Sequence, residues 1–384
     1  MVKKSIIVII PIIIIGFSLI IVAPITILST NILSYEMINE SLIFKYYPKS
    51  PTSTEKLNLN VDVGDIKIYY ISPPVDYYMK IEVNIDIVGH NLEGDSYTDY
   101  FNFLWQNTSS AVNFTLELIS DRWFDSSNLI IKNVSIDVLI RKDRIFDITS
   151  NIDEGGVVIT VPWGISVNNV ITNITNGNII YNFTDCNIEG NITGIINIGN
   201  IIYNFNHCTV RGYVTGIVKT GNVEFTTRNV NYTQNCVWTF EVENGDYDLY
   251  IDQYKVFGAN ITGIVKINNG DVFVKYEDND PKIGAILEIP FGNTFMDKYG
   301  LPGCIVSIYN LTCTLIHGFD YGWKNSVNGL YSDGKIPTTV YTGILYLTSK
   351  DLIANMVKNL YNITFEIIQG SFESDLTSVP LVLE

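Results

Sequence analysis

The sequence is poor in the residues that most often carry catalysis. Its 384 residues include only three histidines, and its five cysteines form no Cys-x-x-Cys pair. The Gly-x-Ser-x-Gly pattern of nucleophile elbows and the Gly-Lys-Ser/Thr pattern of phosphate-binding loops are also absent. These absences argue against zinc and thiol-redox sites, nucleophilic catalysis and nucleotide use. We therefore predict a protein that is not an enzyme, with no catalytic, cofactor-binding or metal-binding residues.

Positive charge is scarce, and long helix-forming stretches are missing. The chain has 24 Lys and Arg residues against 40 Asp and Glu residues, which gives a formal net charge of −16. Such a surface repels phosphates, so we expect no nucleic-acid partner. Ile, Thr and Tyr are abundant and favour strands, whereas the many Asn and Gly residues favour turns. The composition therefore predicts an all-β protein.

One long uncharged run lies at the N-terminus. Lys3 and Lys4 precede it, and the next charge is Glu36. Its Ile-rich part, residues 6–28, is long enough to cross a hydrocarbon core about 30 Å thick. A cleaved signal peptide is the alternative, but its apolar region is normally shorter, about 7–15 residues. We predict a retained single-pass anchor in the cell membrane that contacts lipid, with the bulk of the chain extracellular.

The Asn-x-Ser/Thr acceptor pattern for N-glycosylation recurs along the chain. Glycans are attached to translocated segments, so the pattern agrees with an outer location. An Asn- and Thr-rich chain also produces such triplets by chance. The candidate acceptors are Asn39, Asn107, Asn113, Asn133, Asn173, Asn182, Asn191, Asn231, Asn260, Asn310 and Asn362.

The clearest feature is an internal repeat with an offset of 22 residues. Residues 177–183, Gly-Asn-Ile-Ile-Tyr-Asn-Phe, recur unchanged as residues 199–205, and further copies open at Gly221, Gly245 and Gly270. Similarity at a fixed period predicts stacked units that share one core. We expect a β-solenoid-like stack of units of about 22–25 residues. A β-sandwich of tandem hairpins is the alternative, although hairpin lengths need not repeat.

The repeat divides the chain into predicted regions. An anchor over residues 1–30 and a stalk over 31–55 precede an N-terminal β region or cap over 56–155. The solenoid follows over 156–285, with a C-terminal cap region over 286–384, because open sheet ends need protection. Within that last region, Ser349 is a predicted helix N-cap, and the predicted helix extends to Val357.

The glycine-marked turns resemble those of a known family, the adhesin domains of bacteria and archaea, also called toastrack domains. The resemblance covers about residues 55–290 and implies a solenoid-like sheet stack with a surface or envelope role. It implies no catalytic residues. The turns that carry it are Gly64-Asp65-Ile66, Gly177-Asn178-Ile179, Gly199-Asn200-Ile201, Gly221-Asn222-Val223 and Gly270-Asp271-Val272.

Four of the cysteines are candidates for disulfides. Cys186 and Cys208 occupy the same place in adjacent repeats, where stacked strands bring Cα atoms within reach of a disulfide. A reduced pair in the core is the alternative. Cys304 and Cys313 flank eight residues and are predicted to staple a hairpin, which leaves Cys236 over.

Two further patterns are interpreted as structural. His207 and Cys208 are neighbours on a predicted strand, and such side chains point to opposite faces, so no Cys-His dyad is expected. Residues 277–280, Glu-Asp-Asn-Asp, lack the ligand spacing of a calcium loop and are interpreted as a solvated turn.

The anchor and the repeat together predict a membrane-anchored extracellular protein with an adhesin-like, structural or recognition role, whose partner is a surface protein or a glycan. Two alternatives stay open: a carbohydrate-active β-solenoid enzyme, and an accessory or sensor subunit of a membrane complex. Two carboxylates that face each other across a groove would favour the enzyme. Exposed aromatic residues on the flank, such as Tyr181 and Tyr203, would favour binding.

Overall fold

The computed structural model describes residues 35–48, 52–90, 92–124, 129–233, 236–252 and 260–278, together with strand segments between residues 304 and 378. The predicted anchor over residues 6–28 lies outside these described residues. Among the described residues, no helix is both long and apolar enough to cross a membrane.

The described residues form strands and two short 3-10 helices, Tyr97–Asp99 and Asp121–Phe124. In chain order the strands are β1 (Glu36–Tyr46), β2 (Glu55–Val63), β3 (Asp65–Ile71), β4 (Met79–Gly89), β5 (Phe101–Asn107), β6 (Ala111–Leu118), β7 (Leu129–Arg141), β8 (Phe146–Glu154), β9 (Val157–Val161), β10 (Ser166–Val167), β11 (Val170–Asn176), β12 (Ile179–Thr184), β13 (Asn187–Ile188), β14 (Ile192–Ile198), β15 (Ile201–Asn206), β16 (Thr209–Val210), β17 (Val214–Thr220), β18 (Val223–Arg228), β19 (Asn231–Tyr232), β20 (Cys236–Asn244), β21 (Tyr247–Asp252), β22 (Asn260–Asn269), β23 (Val272–Asp278), β24 (Cys304–Ile308), β25 (Leu311–Leu315), β26 (Asn325–Ser326), β27 (Gly329–Ser332), β28 (Tyr341–Lys350), β29 (Val357–Gln369) and β30 (Phe372–Ser378).

These strands build a parallel β-solenoid, which confirms the predicted stack. Successive turns of the chain contribute one strand each to sheet A (which contains β9, β12, β15, β18, β21 and β23), to sheet B (which contains β8, β11, β14, β17, β20 and β22) and, for four turns, to the short sheet C (β10, β13, β16 and β19). The pairing keeps the 22-residue register, since Ile179, Tyr181 and Phe183 lie opposite Ile201, Tyr203 and Phe205.

Alternating side chains explain why the chain stacks in this way. In β12 and β15, the Ile, Tyr and Phe residues at every second position are buried, whereas the residues between them face outward. Identical buried positions on neighbouring strands form ladders, such as the stacked Phe183 and Phe205 rings, whose centroids are 5.3 Å apart. Each unit is too small to enclose its own core, so burial requires a neighbouring turn.

A glycine ladder forms the corner between sheets B and A. The glycines at this corner have φ values between +133° and +155°, a region that side chains avoid. A Cβ atom on Gly199 would collide with the carbonyl oxygen of Gly177 directly beneath it. The following residue adds a second ladder, because the backbone N–H of Asn200 donates to Oδ1 of Asn178 at 2.9 Å. The Gly-Asn signature therefore encodes the corner.

The stack begins earlier in the chain than the predicted boundary at residue 155. β2 pairs in register with β8, and β3 with β9, so the first turn starts at Glu55. The intervening chain contributes β6 and β7, which pair with the other sides of β2 and β3. The region predicted as a stalk also contains β1.

Parallel pairing also continues into the predicted C-terminal cap region. β29 pairs with β22, and β30 with β23, while β24, β25, β27 and β28 make antiparallel pairs. The prediction of a helix from Ser349 is wrong for its first two residues, because Ser349 and Lys350 end strand β28. Cross-strand pairing with β29 has overridden the local capping signal there. Residues 351–356 lie outside the described residues.

Contacts divide the chain into two compact units. The solenoid belongs to the larger unit, which covers Leu42–Val83, Asn102–Glu117 and Ser135–Glu384. The smaller unit contains the described residues within Met1–Ser41, Asn84–Phe101 and Leu118–Val134. In the smaller unit the Asp95 carboxylate accepts hydrogen bonds from Arg122 at 2.6 Å and from the Tyr100 hydroxyl at 3.1 Å.

Glu55 is a carboxyl group buried in the core of the larger unit, with 1% of its surface exposed. Burial raises the pKa of Glu55, and this effect is larger than the opposing effects of the Tyr46 hydroxyl and the Arg144 and Arg141 guanidinium groups. Protonation of Glu55 is therefore more favourable in the folded protein than in the unfolded chain.

We expect Glu55 to make the protein less stable as pH rises. The folded pKa lies above the ordinary value of 4.5, so stability is greatest below that value and falls as pH rises through the folded pKa. Urea midpoints measured from pH 4 to pH 8 should fall less steeply for Glu55→Gln than for the wild type. The exposed Glu243→Gln variant is the control and should keep the wild-type slope. Equal slopes in the wild type and Glu55→Gln would contradict the assignment.

Candidate functional site

The outward face of sheet A carries a regular polar surface. On β12, β15 and β18 the outward positions near the carboxyl ends are held by amides, hydroxyls and one guanidinium group. Asn182, Asn204 and Thr226 lie opposite one another on successive strands. Thr184, Asn206 and Arg228 form the neighbouring row. The surface therefore repeats from strand to strand at the spacing of a sheet, about 4.8 Å.

A groove follows this surface across the strands. Two neighbouring open depressions of about 290 Å³ and 310 Å³ share Thr226 and Arg228 in their walls and together extend from β12 to β23; they are here called the sheet A groove. The residues that line it are Asn182, Thr184, Asn204, Phe205, Asn206, Glu224, Thr226, Arg228, Tyr250, Ile251, Asp252 and Lys275.

One hydrogen bond orders two amides of the groove. The Asn204 amide nitrogen donates to Oδ1 of Asn182 at 2.9 Å, which fixes both side chains. In the neighbouring row, Oδ1 of Asn206 accepts no hydrogen bond, but it is buried and has no surface that a ligand could reach. The accessible polar groups of the groove therefore include Thr184, Thr226 and Arg228, which are exposed or half-buried.

The charges in the groove cancel although the chain as a whole is strongly acidic. The lining includes two cationic residues, Arg228 and Lys275, and two carboxylates, Glu224 and Asp252. Nε of Arg228 lies 3.1 Å from the carboxylate of Asp252. Beside the groove, burial raises the pKa of Asp248, and the carboxylates of Asp246 and Glu224 raise it further. The groove thus offers hydrogen bonds rather than a net charge.

Tyr250 is an aromatic residue in the lining of the groove, and its ring lies 5.9 Å from that of Phe273 on the next strand. Trp163, in the turn after β9, has 77% of its surface exposed but does not belong to the groove lining. The turn that holds Trp163 stacks on the turn after β12, because the Gly164 N–H donates to the Asp185 carbonyl at 3.0 Å.

Tyr181 and Tyr203 do not belong to this surface. Exposed rings at these two positions would favour binding, but both rings are fully buried. They occupy inward positions, and their hydroxyls donate to the carbonyl oxygens of Thr193 and Thr215 in sheet B. The period of two places them inside because Ile180 and Asn182 beside them face outward.

The outward face of sheet B carries another depression, of about 430 Å³. Ile195 and Ile217 line it together with charged residues. Among these, Nζ of Lys266 lies 3.8 Å from the Glu241 carboxylate. On the preceding strands of sheet B, the positions aligned with these isoleucines are occupied by Asn173 and Asn151. The apolar part of this face is therefore short.

The Cys186 and Cys208 side chains are neighbours in the core. They are free thiols whose Sγ atoms lie 3.4 Å apart, which confirms the predicted juxtaposition, while the disulfide stays a prediction. The hydrogen bond with Cys208 and burial both raise the pKa of Cys186, so this thiol is a poor nucleophile. Cys236 is also a buried free thiol.

Cys304 and Cys313 lie on the paired strands β24 and β25. The register places Cys304 opposite Leu315 and Cys313 opposite Val306, so the two cysteines are diagonal and not direct partners. Their predicted disulfide stays a prediction. His207 lies 3.7 Å from Asp185, measured from Nδ1 to Oδ1, in a turn next to the groove.

Several predicted glycosylation acceptors take part in side-chain ladders. Asn173 donates to Asn151 at 2.8 Å, and Oδ1 of Asn191 accepts from the Tyr213 N–H at 2.9 Å. Asn39 and Asn133 both donate to the Asp86 carboxylate. Asn107 is exposed at the end of β5, whereas Asn113, Asn182 and Asn231 are half-buried on strands. Glycosylation at any of these positions stays a prediction. Asn260 and Asn362 lie on strands β22 and β29, and Asn310 lies outside the described residues.

Within the part of the chain that the structure describes, no cluster of three or more His, Cys, Asp or Glu side chains could hold a metal ion. In the acidic segment considered for calcium, Glu277 and Asp278 end strand β23, and residues 279–280 lie outside the described part.

No motif in the sequence marks the groove residues. Asn182 stands in a glycan-acceptor pattern, and the sequence predicts no site at Arg228 or Tyr250. Most of them occupy the outward positions of the alternating pattern. A comparison of these positions between neighbouring copies of the repeat, at the same offset, could have identified them.

No protein-family model matches the chain, and no curated protein is similar to it. Solved structures with similar folds include a putative cell adhesion protein from Clostridium sporogenes, with 13% identity over 62% of this chain and 99% of that one and a TM-score of 0.32. A putative lipid binding protein from Parabacteroides distasonis has 14% identity, covers 62% of this chain and 90% of that one, and gives a TM-score of 0.27. A putative adhesin from Parabacteroides merdae has 10% identity, covers 62% and 89%, and gives a TM-score of 0.20. At these values the likeness carries no function over to this chain.

Proposed function

We propose that this chain is an adhesin-like recognition protein of the outer cell surface, held by a membrane anchor over residues 6–28. In this proposal the sheet A groove binds an extended ligand and does not alter it chemically. The supporting observation is the extent of the groove, whose two depressions share Thr226 and Arg228 and together reach across the strands from β12 to β23. A long surface with repeated polar groups suits an elongated partner.

The rigidity of the face supports this role. Sheet A strands from β12 to β21 are paired in register on both sides, so the outward side chains are held by a continuous hydrogen-bonded sheet. Binding groups on rigid elements lose little conformational freedom when a ligand binds. The anchor is supported by the uncharged sequence between Lys4 and Glu36.

The test uses cells that display the full-length chain. Protease treatment of intact cells should release peptides from the solenoid, as detected by mass spectrometry, and should abolish the attachment of these cells to target surfaces. Thr226→Arg, which fills the groove, should reduce attachment at least tenfold. Thr215→Arg is the matched control, because Thr215 is also a half-buried outward threonine but lies on sheet B. Equal attachment by the two variants, or protection of the solenoid from protease until the cells are lysed, would overturn the proposal.

A carbohydrate-active enzyme is the second candidate, and one observation favours it. Glu224 and Asp248 are direct neighbours on β18 and β21, and the raised pKa of Asp248 is a feature of general acids. The two carboxylates lie side by side on one face, however, and do not face each other across the groove. Release of reducing ends from a polysaccharide by the wild type, but not by Glu224→Gln, would establish the enzyme.

A further inference from the structure

We infer that the ligand of the sheet A groove is an uncharged, extended oligosaccharide that runs across the strands from β12 to β23. This inference rests on the proposed function and specifies its ligand. It follows from three features of the groove: the sheet that forms its floor, its balance of charge and the aromatic residue Tyr250 in its lining.

The floor of the groove excludes the commonest mode of extended-peptide recognition. Peptides often bind by adding a strand to an open sheet edge, where unpaired backbone groups provide the hydrogen bonds. The groove instead lies on the face of interior strands, and β15 and β18 are each paired on both sides. Its hydrogen bonds must therefore come from side chains, so the ligand must itself be dense in polar groups.

The charge balance excludes polyanions as the preferred ligands. A groove that binds nucleic acid or a sulfated polymer needs a surplus of cations to displace counterions. Here the two cations of the lining are matched by two carboxylates, and Arg228 already pairs with Asp252 at 3.1 Å. A neutral polymer that carries hydroxyl groups does not need a surplus of cations in the groove.

The polar rows fit a polymer of repeating hydroxyl-bearing units. Amide and hydroxyl side chains recur at each strand, as in Asn182, Asn204 and Thr226, and they both donate and accept hydrogen bonds. Thr184 in the neighbouring row is exposed and adds a hydroxyl that can donate and accept. Vicinal hydroxyls of a sugar ring can satisfy neighbouring amides in this way.

Tyr250 in the groove lining provides a flat apolar surface for a sugar ring, whose C–H face stacks on aromatic faces. It lies on β21, and its ring is next to that of Phe273. Four strand steps separate β12 from β23 in sheet A, which corresponds to about 19 Å. This length holds several sugar rings in an extended chain.

The experiment measures binding of the full-length chain, reconstituted in lipid nanodiscs, to a panel of immobilised polysaccharides. Neutral β-glucan, xylan, mannan and chitin oligosaccharides are the test probes, and heparin and dextran sulfate are the anionic probes. We expect binding to at least one neutral probe. Tyr250→Ala should weaken this binding roughly five- to tenfold, as expected for loss of one aromatic contact.

Tyr213→Ala is the matched control, because Tyr213 is 52% exposed but lies immediately before β17, outside the groove lining. Both variants should keep the wild-type melting temperature within a few degrees, since the substituted rings reach the surface. Equal losses for Tyr213→Ala and Tyr250→Ala would overturn the assignment of the ligand to the groove.

Treatment of the target surface separates failure of this inference from failure of the proposed function. Periodate cleaves vicinal diols of sugars, so it should abolish attachment, whereas protease treatment of the target should not. Attachment that survives periodate but is lost after protease treatment, and that still depends on Thr226, would overturn the oligosaccharide while it supports recognition through the groove. Preference for heparin, or no binding to any neutral probe, would also overturn it.

Discussion

Gly199→Ala is expected to destabilise the protein by about 3 kcal/mol or more, enough to lower the urea midpoint severely. Gly199 has a φ of +136°, which alanine avoids, and an added Cβ would collide with the Gly177 carbonyl oxygen. The collision is with backbone in the neighbouring turn, so relief requires the stacked strands to separate. Circular dichroism as a function of urea measures the effect.

Gly164→Ala is the control that separates strain from collision. Gly164 also has a positive φ, +78°, but a Cβ at that position meets open space. Its cost should be about 1 kcal/mol, because left-handed backbone alone is tolerated by side chains at a modest penalty. Asp185 and His207 already adopt such backbone, with φ values of +50° and +54°. We attribute the need for glycine to the close approach of the Gly199 and Gly177 backbones. Equal urea midpoints for the two alanine variants would contradict this explanation.

Tyr203→Ala is expected to destabilise the protein by about 3–5 kcal/mol, since it removes a buried ring and leaves a cavity. The Tyr203 ring is fully buried between the sheets and contacts other aromatic rings, including Tyr181 at 5.0 Å and Phe240 at 5.8 Å between centroids. The glycines opposite it leave the space that the ring fills, since a Cβ at Gly194 would lie 2.9 Å from its hydroxyl oxygen. Neither sheet can move inward without breaking register.

Tyr203→Phe distinguishes packing from hydrogen bonding at this position. The variant keeps the ring and loses the hydrogen bond to the Thr215 carbonyl, so its cost should be about 1 kcal/mol. Urea midpoints of the two variants and the wild type provide the comparison. A phenylalanine variant as unstable as the alanine variant would show that the hydroxyl, and not the ring volume, is what the core requires.

The solenoid could be predicted from the repeat because the residues that each turn requires are close together in the sequence. Gly199 and Asn200 specify a corner that only glycine can occupy and that an adjacent amide stabilises, and both are visible as repeated letters. The burial of Tyr203 follows from the same alternation that exposes Asn204.

Other parts of the fold were hidden because they depend on distant partners. The first turn pairs Glu55–Val63 with residues 146–154, across an insertion of more than seventy residues, and no local pattern reports such a pairing. The segment at Ser349 has a helix-capping signal that its pairing with β29 overrides. The groove also required the register, because Thr184, Arg228 and Tyr250 are scattered in sequence and come to one surface only when the strands stack.

The near-identity of two stacked turns has a genetic consequence. Residues 177–183 and 199–205 are interchangeable in the structure, so loss or gain of one 22-residue unit between them would leave every inward and outward position where it was. Unequal crossing-over between the corresponding DNA segments would therefore lengthen or shorten the molecule in whole steps, each about 4.8 Å of stack. A lineage could change its reach, and the number of contacts along one side, without inventing a new fold.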